Sequence, residues 1–495
     1  MRRITELKVR TLAVSTTAAL ALALGGCAGL GAPIPDASAP ITQTEAQQGA
    51  EANPQILAEF GGAMSGPQAQ YVEQVGKNIA MQSGLGNARD SFQVALLNSS
   101  VNNAFAIPGG YVYTTRQLVS LMNNEAELAA VLGHEVGHVA ARHSQRRQQT
   151  AQRNTLLGAA GAILSGVLLG NSGIGQQIGQ AALQGSQLLT LSFSRSQELE
   201  ADNLGIQYLQ RAGYDPRAMG TVLASLAAQN SLDARLMGRG DAKLPEWAST
   251  HPDPASRVQT ALSKAQGMTG RTDRDVFLTR IDGMLYGDDP AQGVIEGRQF
   301  IHPEMRLSFT APQGFYMVNG TRAVSIQGQG GQAQLTLAQY NGDLRAYVNN
   351  AFAGLSQQQR ITPQAIQTTT VNGLPAAYGT ARVNSGNGQV DVTVFAYEFA
   401  NNRAYHFLAI TPAGNAGTFN QMFSSMRRIS TQEAAAVIPR VIDIVTVRPG
   451  DTVRTLAARM AYTDGKEERF RVLNALSSNE ELRAGQKVKL VVRGR

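Results

Sequence analysis

Three of the six histidines in this 495-residue chain fall within twelve residues, in the segment LGHEVGHVAARH at 132–143. The stretch before it, NEAELAAVL, consists largely of good helix formers, so the segment is predicted to be helical. On a helix His134 and His138 lie one turn apart on the same face, where their rings can fill two corners of a tetrahedral zinc site. Glu135 is then placed to reach a water on the metal rather than the metal itself. The spacing alone also fits an ordinary helix that carries an exposed histidine pair.

A zinc site needs a third protein ligand, which the segment SRSQELEADNLGIQYL at 194–209 offers. If this segment is helical, Glu198 and Asp202 lie one turn apart on one face, whereas Glu200 points away from Glu198. We assign Glu198 to the metal and Asp202 to the histidine ring that it would orient. A solvated acidic helix face is the alternative for the segment taken alone. Gly205, on the same face as Asp202, would allow another helix to approach closely.

The single cysteine, Cys27, excludes an intrachain disulfide framework and a cysteine-rich metal site. A basic start, MRRITELKVR, and an apolar run too short for a membrane span precede it. With LGGC at 24–27, this arrangement resembles the lipobox of bacterial lipoproteins, which implies a signal peptide at 1–26 and lipidation of Cys27. A plain secretory signal with a chance cysteine is the alternative. Ala28 favours the outer membrane, by resemblance to enterobacterial sorting rules.

Length and composition predict a multidomain globular protein. The chain is 43% hydrophobic and 16% charged, and 495 residues exceed what a single core usually organises. The net charge of +7 is modest and no compact basic stripe occurs, so nucleic acid is not an expected partner. We predict a signal peptide at 1–26, a tether at 27–50, a mainly α domain at 51–266, a connector at 267–302, an α+β domain at 303–433 and a small β-α-α-β unit at 440–495.

The two predicted C-terminal units differ in pattern from the helical domain. Between 303 and 433, short alternating runs bounded by Gly and Asn predict an antiparallel sheet with helices packed on it. This α+β domain resembles the PsbP/Mog1-like sandwich, and its role is left unassigned. The unit at 447–492, with PGDT, Asn474 and LRAGQ, resembles the LysM fold, which implies peptidoglycan as a further partner. An insert around AYTDGKEER makes it longer than that pattern.

Four motifs along the chain resemble those of the HtpX/CAAX-prenyl-protease type of zinc metallopeptidase, peptidase family M48. They are NAFAIPGGYVYTTRQLV at 103–119, HEVGH at 134–138, ELEAD at 198–202 and STHPDPASRV at 249–258. The nearest likeness is to the soluble periplasmic, BepA-like branch. That branch carries a tetratricopeptide array after the protease, where this chain has the sheet domain and the LysM-like unit. The resemblance covers residues 51–266 and implies a zincin-type (gluzincin) domain there.

The resemblance also implies roles for individual residues. His134, His138 and Glu198 would bind one Zn²⁺ ion per chain, and Glu135 would be the catalytic base. An edge strand would pair with the backbone of an extended substrate. The residues of that strand are Asn103, Ala104, Phe105, Ala106 and Ile107.

Two residues downstream have two interpretations each. The resemblance implies that His251 takes a fourth position on the metal or gates the cleft. Alternatively it is a helix-entry residue held by Pro252 and Pro254. Arg257 would pair with acidic residues at the site, in the layer around the metal ligands to which Asp202 belongs, or it lies on the surface.

Two further features of the sequence belong to none of the four motifs. His143, five residues past His138, should face about 140° away from it on a helix and be exposed beside neighbouring arginines. The segment LLGAAGAILSGVLLG at 156–170 is apolar nearly all round but shorter than the roughly 20 residues of a membrane span. It is either a buried or cleft-lining helix, or a helix that dips into the membrane.

These features predict a zinc metalloendopeptidase, lipid-anchored on the periplasmic side of the bacterial envelope. Its expected substrates are extended, misfolded or misassembled envelope proteins, cleaved by a zinc-bound water that Glu135 assists. One alternative is a non-catalytic chaperone or assembly factor that holds outer-membrane proteins in the same cleft. Another is a peptidoglycan-binding lipoprotein that acts through residues 447–492.

Overall fold

The structure, a computed structural model, describes residues 39–147, 193–236, 251, 254–355, 361–385 and 388–494. The predicted signal peptide, the predicted lipidation site at Cys27 and the apolar segment 156–170 lie outside these residues. In the described part of the chain, none of the helices combines the length and the apolar character that crossing a membrane requires.

Helices dominate the first part of the described chain. They are α1 (Gln43–Glu59), α2 (Pro67–Ala80), α3 (Ala88–Ser91), α4 (Arg116–Leu121), α5 (Glu125–Ala140), α6 (Arg195–Arg211), α7 (Ala218–Leu236), α8 (Pro254–Lys264) and α9 (Arg274–Ile281). Helix α5, which carries the HEVGH motif, is buried along nearly its whole length and packs against α2, α6 and α7. A helix enclosed on all sides has to be apolar all round except where polar groups find partners, and this accounts for the run ELAAVLG.

A three-stranded sheet lies against α5. It consists of β1 (Gln93–Leu97), β2 (Ala104–Ile107) and β3 (Tyr111–Thr115), in the order β1-β3-β2. Strand β1 runs parallel to β3 and β2 antiparallel to it, so β2 forms an edge of this sheet. The turn between β2 and β3 contains Gly109 and Gly110 with φ of 89° and 80°, a conformation that glycine adopts without strain.

Helix α1 begins inside the range predicted to be a tether. The side chain of Thr42 accepts a hydrogen bond from the backbone N–H of Glu45, whose carboxylate accepts one from the backbone N–H of Thr42. This reciprocal capping box satisfies two donors that the first turn of a helix otherwise leaves unpaired. The last residues of the predicted tether, 43–50, are therefore helical.

The range 267–302, predicted to be a turn-rich connector, contains regular elements. Helix α9 buries Phe277, Leu278 and Ile281 completely, in the same apolar core that surrounds α5. Strand β4 (Leu285–Tyr286) follows it. These elements are so short that periodicity in the sequence did not reveal them.

The sheet region contains two antiparallel sheets. Its strands are β5 (Val294–Glu296), β6 (Gln299–His302), β7 (Leu307–Thr310), β8 (Tyr316–Asn319), β9 (Val324–Gly328), β10 (Gly331–Leu337), β11 (Ile366–Val371), β12 (Leu374–Ser385), β13 (Gly388–Ala400), β14 (Arg403–Pro412) and β15 (Arg427–Arg428), and its helices are α10 (Leu344–Ala353), α11 (Asn420–Ser425) and α12 (Thr431–Ala435). The larger sheet has the order β11-β12-β13-β14-β10-β9-β8, and the smaller one has the order β15-β7-β6-β5. Phe407 and Tyr397 belong to a core that includes the smaller sheet, whereas α10 packs Val348 and Phe352 on the larger sheet.

The last unit has the predicted β-α-α-β order. It consists of β16 (Arg440–Thr446), α13 (Val453–Ala457), α14 (Lys466–Leu473) and β17 (Lys487–Arg493). Strand β16 pairs antiparallel with β17 on one side and with β4 on the other. Its buried side chains, among them Leu456 and Phe470, share one continuous apolar core with the helical region.

A buried lysine also joins this unit to the helical region. Lys489 on β17 has no exposed surface, and its ammonium donates hydrogen bonds to three carbonyl oxygens at the end of α4. These are the carbonyls of Ser120 (2.9 Å), Leu121 (3.0 Å) and Met122 (2.5 Å). Carbonyls in the last turn of a helix have no partner within the helix and carry its negative dipole end, so a cation is favoured there.

Candidate metal centre

Four buried side chains from three parts of the chain meet beside α5. They are His134 and His138 on α5, Glu198 on α6 and His251, each at most 3% exposed. One ligand atom from each of them lies within 4.8 Å of the others. The structure thus brings together the three predicted zinc ligands and His251.

Small residues let α5 and α6 approach closely enough to share this site. A Cβ atom added to Gly205 on α6 would lie 3.2 Å from the backbone nitrogen of His134 and 3.4 Å from the carbonyl carbon of Gly133. A Cβ atom on Gly137 would lie 3.2 Å from the carbonyl oxygen of Ala201. Such contacts are tight, so side chains at these glycines would push the two ligand-bearing helices apart.

The distances between the donor atoms suit a single tetrahedral ion. His134 Nε2 lies 3.0 Å from His138 Nε2 and 3.3 Å from His251 Nδ1. The carboxylate of Glu198 lies 3.5 Å from His134 Nε2, 3.6 Å from His138 Nε2 and 3.1 Å from His251 Nδ1. Zinc bonds of about 2.0–2.1 Å arranged as a tetrahedron separate the ligand atoms by about 3.3 Å. This buried group is therefore suited to one zinc ion.

A second layer of charged groups orients the ligands. Asp202 Oδ1 lies 2.9 Å from His134 Nδ1, the ring nitrogen that faces away from the site. Arg257 donates to both oxygens of Asp202, at 2.8 and 2.6 Å, and to Glu198 Oε2 at 2.5 Å. Burial alone would raise the pKa of Asp202, but the hydrogen bonds from Arg257 and His134 lower it to about 2. Asp202 is therefore an anion that can accept a hydrogen bond from the Nδ1–H of His134.

Glu135 is buried and its carboxylate is poorly satisfied. The residue has no exposed surface, and among the described residues neither of its oxygens has a hydrogen-bond partner. His251 Nε2 lies 3.4 Å from Glu135 Oε1. Burial raises the pKa of Glu135, and the charges of His251 and His134 only partly offset this. A carboxylate in such surroundings is a competent proton acceptor at neutral pH.

His143 is buried, contrary to the sequence prediction that it is exposed. Its Nδ1 lies 2.8 Å from His138 Nδ1, and its Nε2 lies 3.2 Å from Glu200 Oε2. The prediction failed because it continued the helix past its end: α5 stops at Ala140 and Arg142 adopts a left-handed φ of 53°. The turn redirects the chain, so helical geometry does not give the direction of the His143 ring.

Sequence reasoning also missed Phe193. Its ring stacks on that of His138, with centroids 4.0 Å apart and planes inclined by 21°. Phe193 directly precedes Ser194, the N-cap of α6. An apolar residue just before a helix cap is a signal that could have suggested a buried side chain at the start of α6.

The predicted substrate strand begins one residue later than expected. Strand β2 starts at Ala104, while Asn103 exchanges hydrogen bonds with Thr115 through its backbone N–H and C=O. Asn103 is fully buried, and among the described residues neither polar atom of its side chain has a partner. Phe105 is the half-buried residue of the strand, and Ala104, Ala106 and Ile107 are buried.

Comparison with known proteins identifies two domains in this chain. The family described as Peptidase family M48 matches residues 67–265, and the LysM domain matches residues 445–491. The beta-barrel assembly-enhancing protease of Escherichia coli (strain K12) is 36% identical over 202 residues, which are 40% of this chain and 39% of that protein. The mitochondrial metalloendopeptidase OMA1 of Schizosaccharomyces pombe is 30% identical over 224 residues, which are 43% of this chain and 59% of that protein.

The similarity thus covers well under two thirds of the length of these relatives. Among solved structures, cyanobacterial PsbP from Synechocystis sp. PCC 6803 aligns with a TM-score of 0.22 and 10% identity, over 28% of this chain and 98% of that chain. The PsbP/Mog1-like interpretation of the sheet region stays a prediction.

Proposed function

This chain carries a peptidase domain of family M48 and a LysM domain, and we propose that it is a zinc-dependent endopeptidase of the cell envelope. The observation that carries the proposal is the combination of a buried His-His-Glu-His group with an adjacent buried carboxylate. The donors are spaced for one zinc ion, and Glu135 next to them has no hydrogen-bond partner among the described residues. A group that only stabilised the fold would not need an unsatisfied carboxylate beside it.

The residues of the site have separate tasks in peptide hydrolysis. His134, His138 and Glu198 would hold the zinc ion, which would supply the Lewis acid for the scissile carbonyl and for water. Glu135 takes the proton of the attacking water and passes it to the leaving amine. Asp202 holds the ring of His134 through Nδ1, so that Nε2 faces the site.

The neighbouring edge strand supports an extended polypeptide as the substrate. Strand β2 is an edge strand, and a small open cavity lies between it and the end of α5. Ala106, Ile107 and Pro108 line one side of this cavity, and His138 and Val139 line the other. A peptide paired with β2 would therefore run past this cavity, next to the proposed metal ligand His138.

Envelope location and substrate class rest on the leader and on the relatives. The lipobox-like LGGC supports a periplasmic protein anchored through lipid on Cys27, and Ala28 after it supports the outer membrane as the site of the anchor. The relatives named beta-barrel assembly-enhancing protease support misfolded or misassembled envelope proteins as substrates. The LysM domain supports additional contact with peptidoglycan, for which the loops around Gly450 and Gly485 are available because they are exposed and adjacent.

Removal of the metal tests the proposal directly. We expect the purified protein, without its leader, to hold one zinc ion per chain and to cleave casein. Chelation should abolish cleavage, and one equivalent of zinc should restore it, because no other described group supplies the Lewis acid. Metal content is measured by elemental analysis and cleavage by release of a fluorescent label. Cleavage that persists in metal-free protein would contradict the proposal.

His251 stands where a catalytic site needs an open position. Its Nδ1 is within 3.3 Å of His134 Nε2 and 3.1 Å of Glu198, and its Nε2 is 3.4 Å from Glu135. Four protein ligands close a zinc site, whereas catalytic sites keep one place free. We propose that the described state is latent and that His251 leaves the site when substrate is cleaved.

The variant His251→Ala should therefore raise the basal rate of casein cleavage at saturating zinc, by about 10-fold if the closed state dominates. His302→Ala is a matched control, because His302 is a buried histidine in the sheet region that hydrogen-bonds the backbone of Met305. An unchanged or lower rate for His251→Ala at saturating zinc would show that His251 is not a gate.

A further inference from the structure

The two histidines on α5 are held through their outer ring nitrogens by different partners. His134 Nδ1 faces the carboxylate of Asp202 directly. His138 Nδ1 faces another imidazole, Nδ1 of His143 at 2.8 Å. Beyond it, His143 Nε2 lies 3.2 Å from Glu200 Oε2. The carboxylate that serves His138 is therefore one ring further away.

Metal binding fixes the direction of this chain of hydrogen bonds. A ring that binds an ion through Nε2 carries its proton on Nδ1, so His138 Nδ1–H must donate. His143 Nδ1 must then accept, which leaves the proton of the neutral His143 ring on Nε2. That Nε2–H donates to Glu200, whose carboxylate also accepts a hydrogen bond from Arg146 at 2.9 Å.

The surroundings hold His143 in this position. The ring is fully buried, and the backbone carbonyl of His143 accepts a hydrogen bond from the side chain of Gln197 at 3.2 Å. The left-handed turn at Arg142 is fixed in turn, since the Arg142 guanidinium donates to the carbonyls of Ala39 and Pro40 at 2.8 and 3.1 Å. The segment in front of α1 thus holds the turn that places His143.

We infer that His143 is a positioning residue for the zinc ligand His138 and that Glu200 sets its tautomer. The inference rests on the proposed zinc site and adds to it the means by which the second histidine is oriented. His143 does not bind the ion, because its Nδ1 faces the outer ring nitrogen of His138 and its Nε2 faces Glu200. Its contribution is to accept a hydrogen bond from His138 Nδ1–H and so to fix the orientation of the His138 ring.

Two variants of equal size separate the hydrogen bond from simple packing. In His143→Asn the amide oxygen can take the place of Nδ1 and accept the hydrogen bond from His138 Nδ1–H. In His143→Leu the side chain fills a similar volume but offers no acceptor. We expect His143→Leu to weaken zinc binding by about 10–100-fold, the usual effect of losing a partner of a ligating histidine. His143→Asn should restore most of the affinity.

Zinc affinity is measured by competition with a chromophoric chelator, and ligand geometry by the visible spectrum of the cobalt-substituted protein. The spectrum of His143→Leu should differ from that of the wild type, and that of His143→Asn should resemble it. Glu200→Leu, at a partly exposed position where folding is not at risk, should weaken binding in the same direction but less than His143→Leu. His302→Asn serves as the control and should bind zinc like the wild type.

Either of two results would overturn the inference: equal losses in His143→Asn and His143→Leu, or wild-type affinity in both. If His143→Leu does not fold, wild-type affinity in Glu200→Leu overturns it. Failure of the zinc site itself is a separate outcome, because the wild-type protein would then bind no zinc. A wild type that binds one zinc ion while the His143 variants bind it equally well refutes only this inference.

Discussion

Replacement of Glu135 by Gln leaves zinc binding intact and lowers the rate of casein cleavage by about 10²–10⁴-fold. The amide occupies the same volume in a fully buried position but cannot take a proton from water. Glu135 is not among the four ligand residues, so the metal should be retained. The measurement combines zinc content by elemental analysis with kcat/KM on a labelled peptide in the wild type and the variant.

Glu51→Gln is a matched control for this substitution. Glu51 is an exposed residue of α1 whose carboxylate accepts a hydrogen bond from Gln47, so its replacement should change neither zinc content nor rate. Wild-type cleavage by Glu135→Gln would refute the role of Glu135 as base. The same variant decides between a protease and a non-catalytic chaperone in the cell, since a chaperone would still complement a deletion strain.

Helical periodicity was enough to predict the parts of the site that lie within helices. His134 and His138 on α5, and Glu198 and Asp202 on α6, face the site because each pair is separated by four residues on an unbroken helix. The contact of α5 with α6 was foreseeable from Gly205. Periodicity could not predict that His251 lies across the site from these residues. His251 meets these residues only in the tertiary structure, and the resemblance to a family, not its local pattern, pointed to it.

Predictions from the sequence failed where an element begins or ends. His143 was assigned to the surface because the prediction continued α5 past Ala140. The left-handed backbone conformation of Arg142, which ends the helical path, is not foreseeable from the sequence. The start of α1 was foreseeable, since Thr42 and Glu45 form the S/T-x-x-E pattern of a capping box. Packing of the LysM domain on the peptidase domain was not foreseeable, because it depends on contacts between residues far apart in sequence.

Lys489→Met should destabilise the helical region together with the LysM domain, which share one apolar core, by about 3–5 kcal/mol. Methionine matches the length of the lysine stem, but it leaves the three carbonyls at the end of α4 without their donor. Burial raises the pKa of Glu127 and lowers that of Lys489, while the attraction between the two groups opposes both shifts. The three buried carbonyls left without a donor are the larger part of the expected loss.

The loss should reach the metal site, because Glu127 lies on α5 two turns before His134. We expect a lower midpoint of urea unfolding together with faster loss of zinc to a chelator. Lys487→Met is the control: Lys487 lies two residues away on the same strand, is partly exposed and contacts the Thr279 hydroxyl. We expect it to change the unfolding midpoint and the rate of zinc loss only slightly. The double variant Lys489→Met/Glu127→Gln should recover part of the stability, because a neutral amide needs no counter-charge. Equal midpoints for the Lys489 and Lys487 variants would refute this role of Lys489, whereas the expected difference would show that the LysM domain stabilises the helical region that carries the proposed metal ligands.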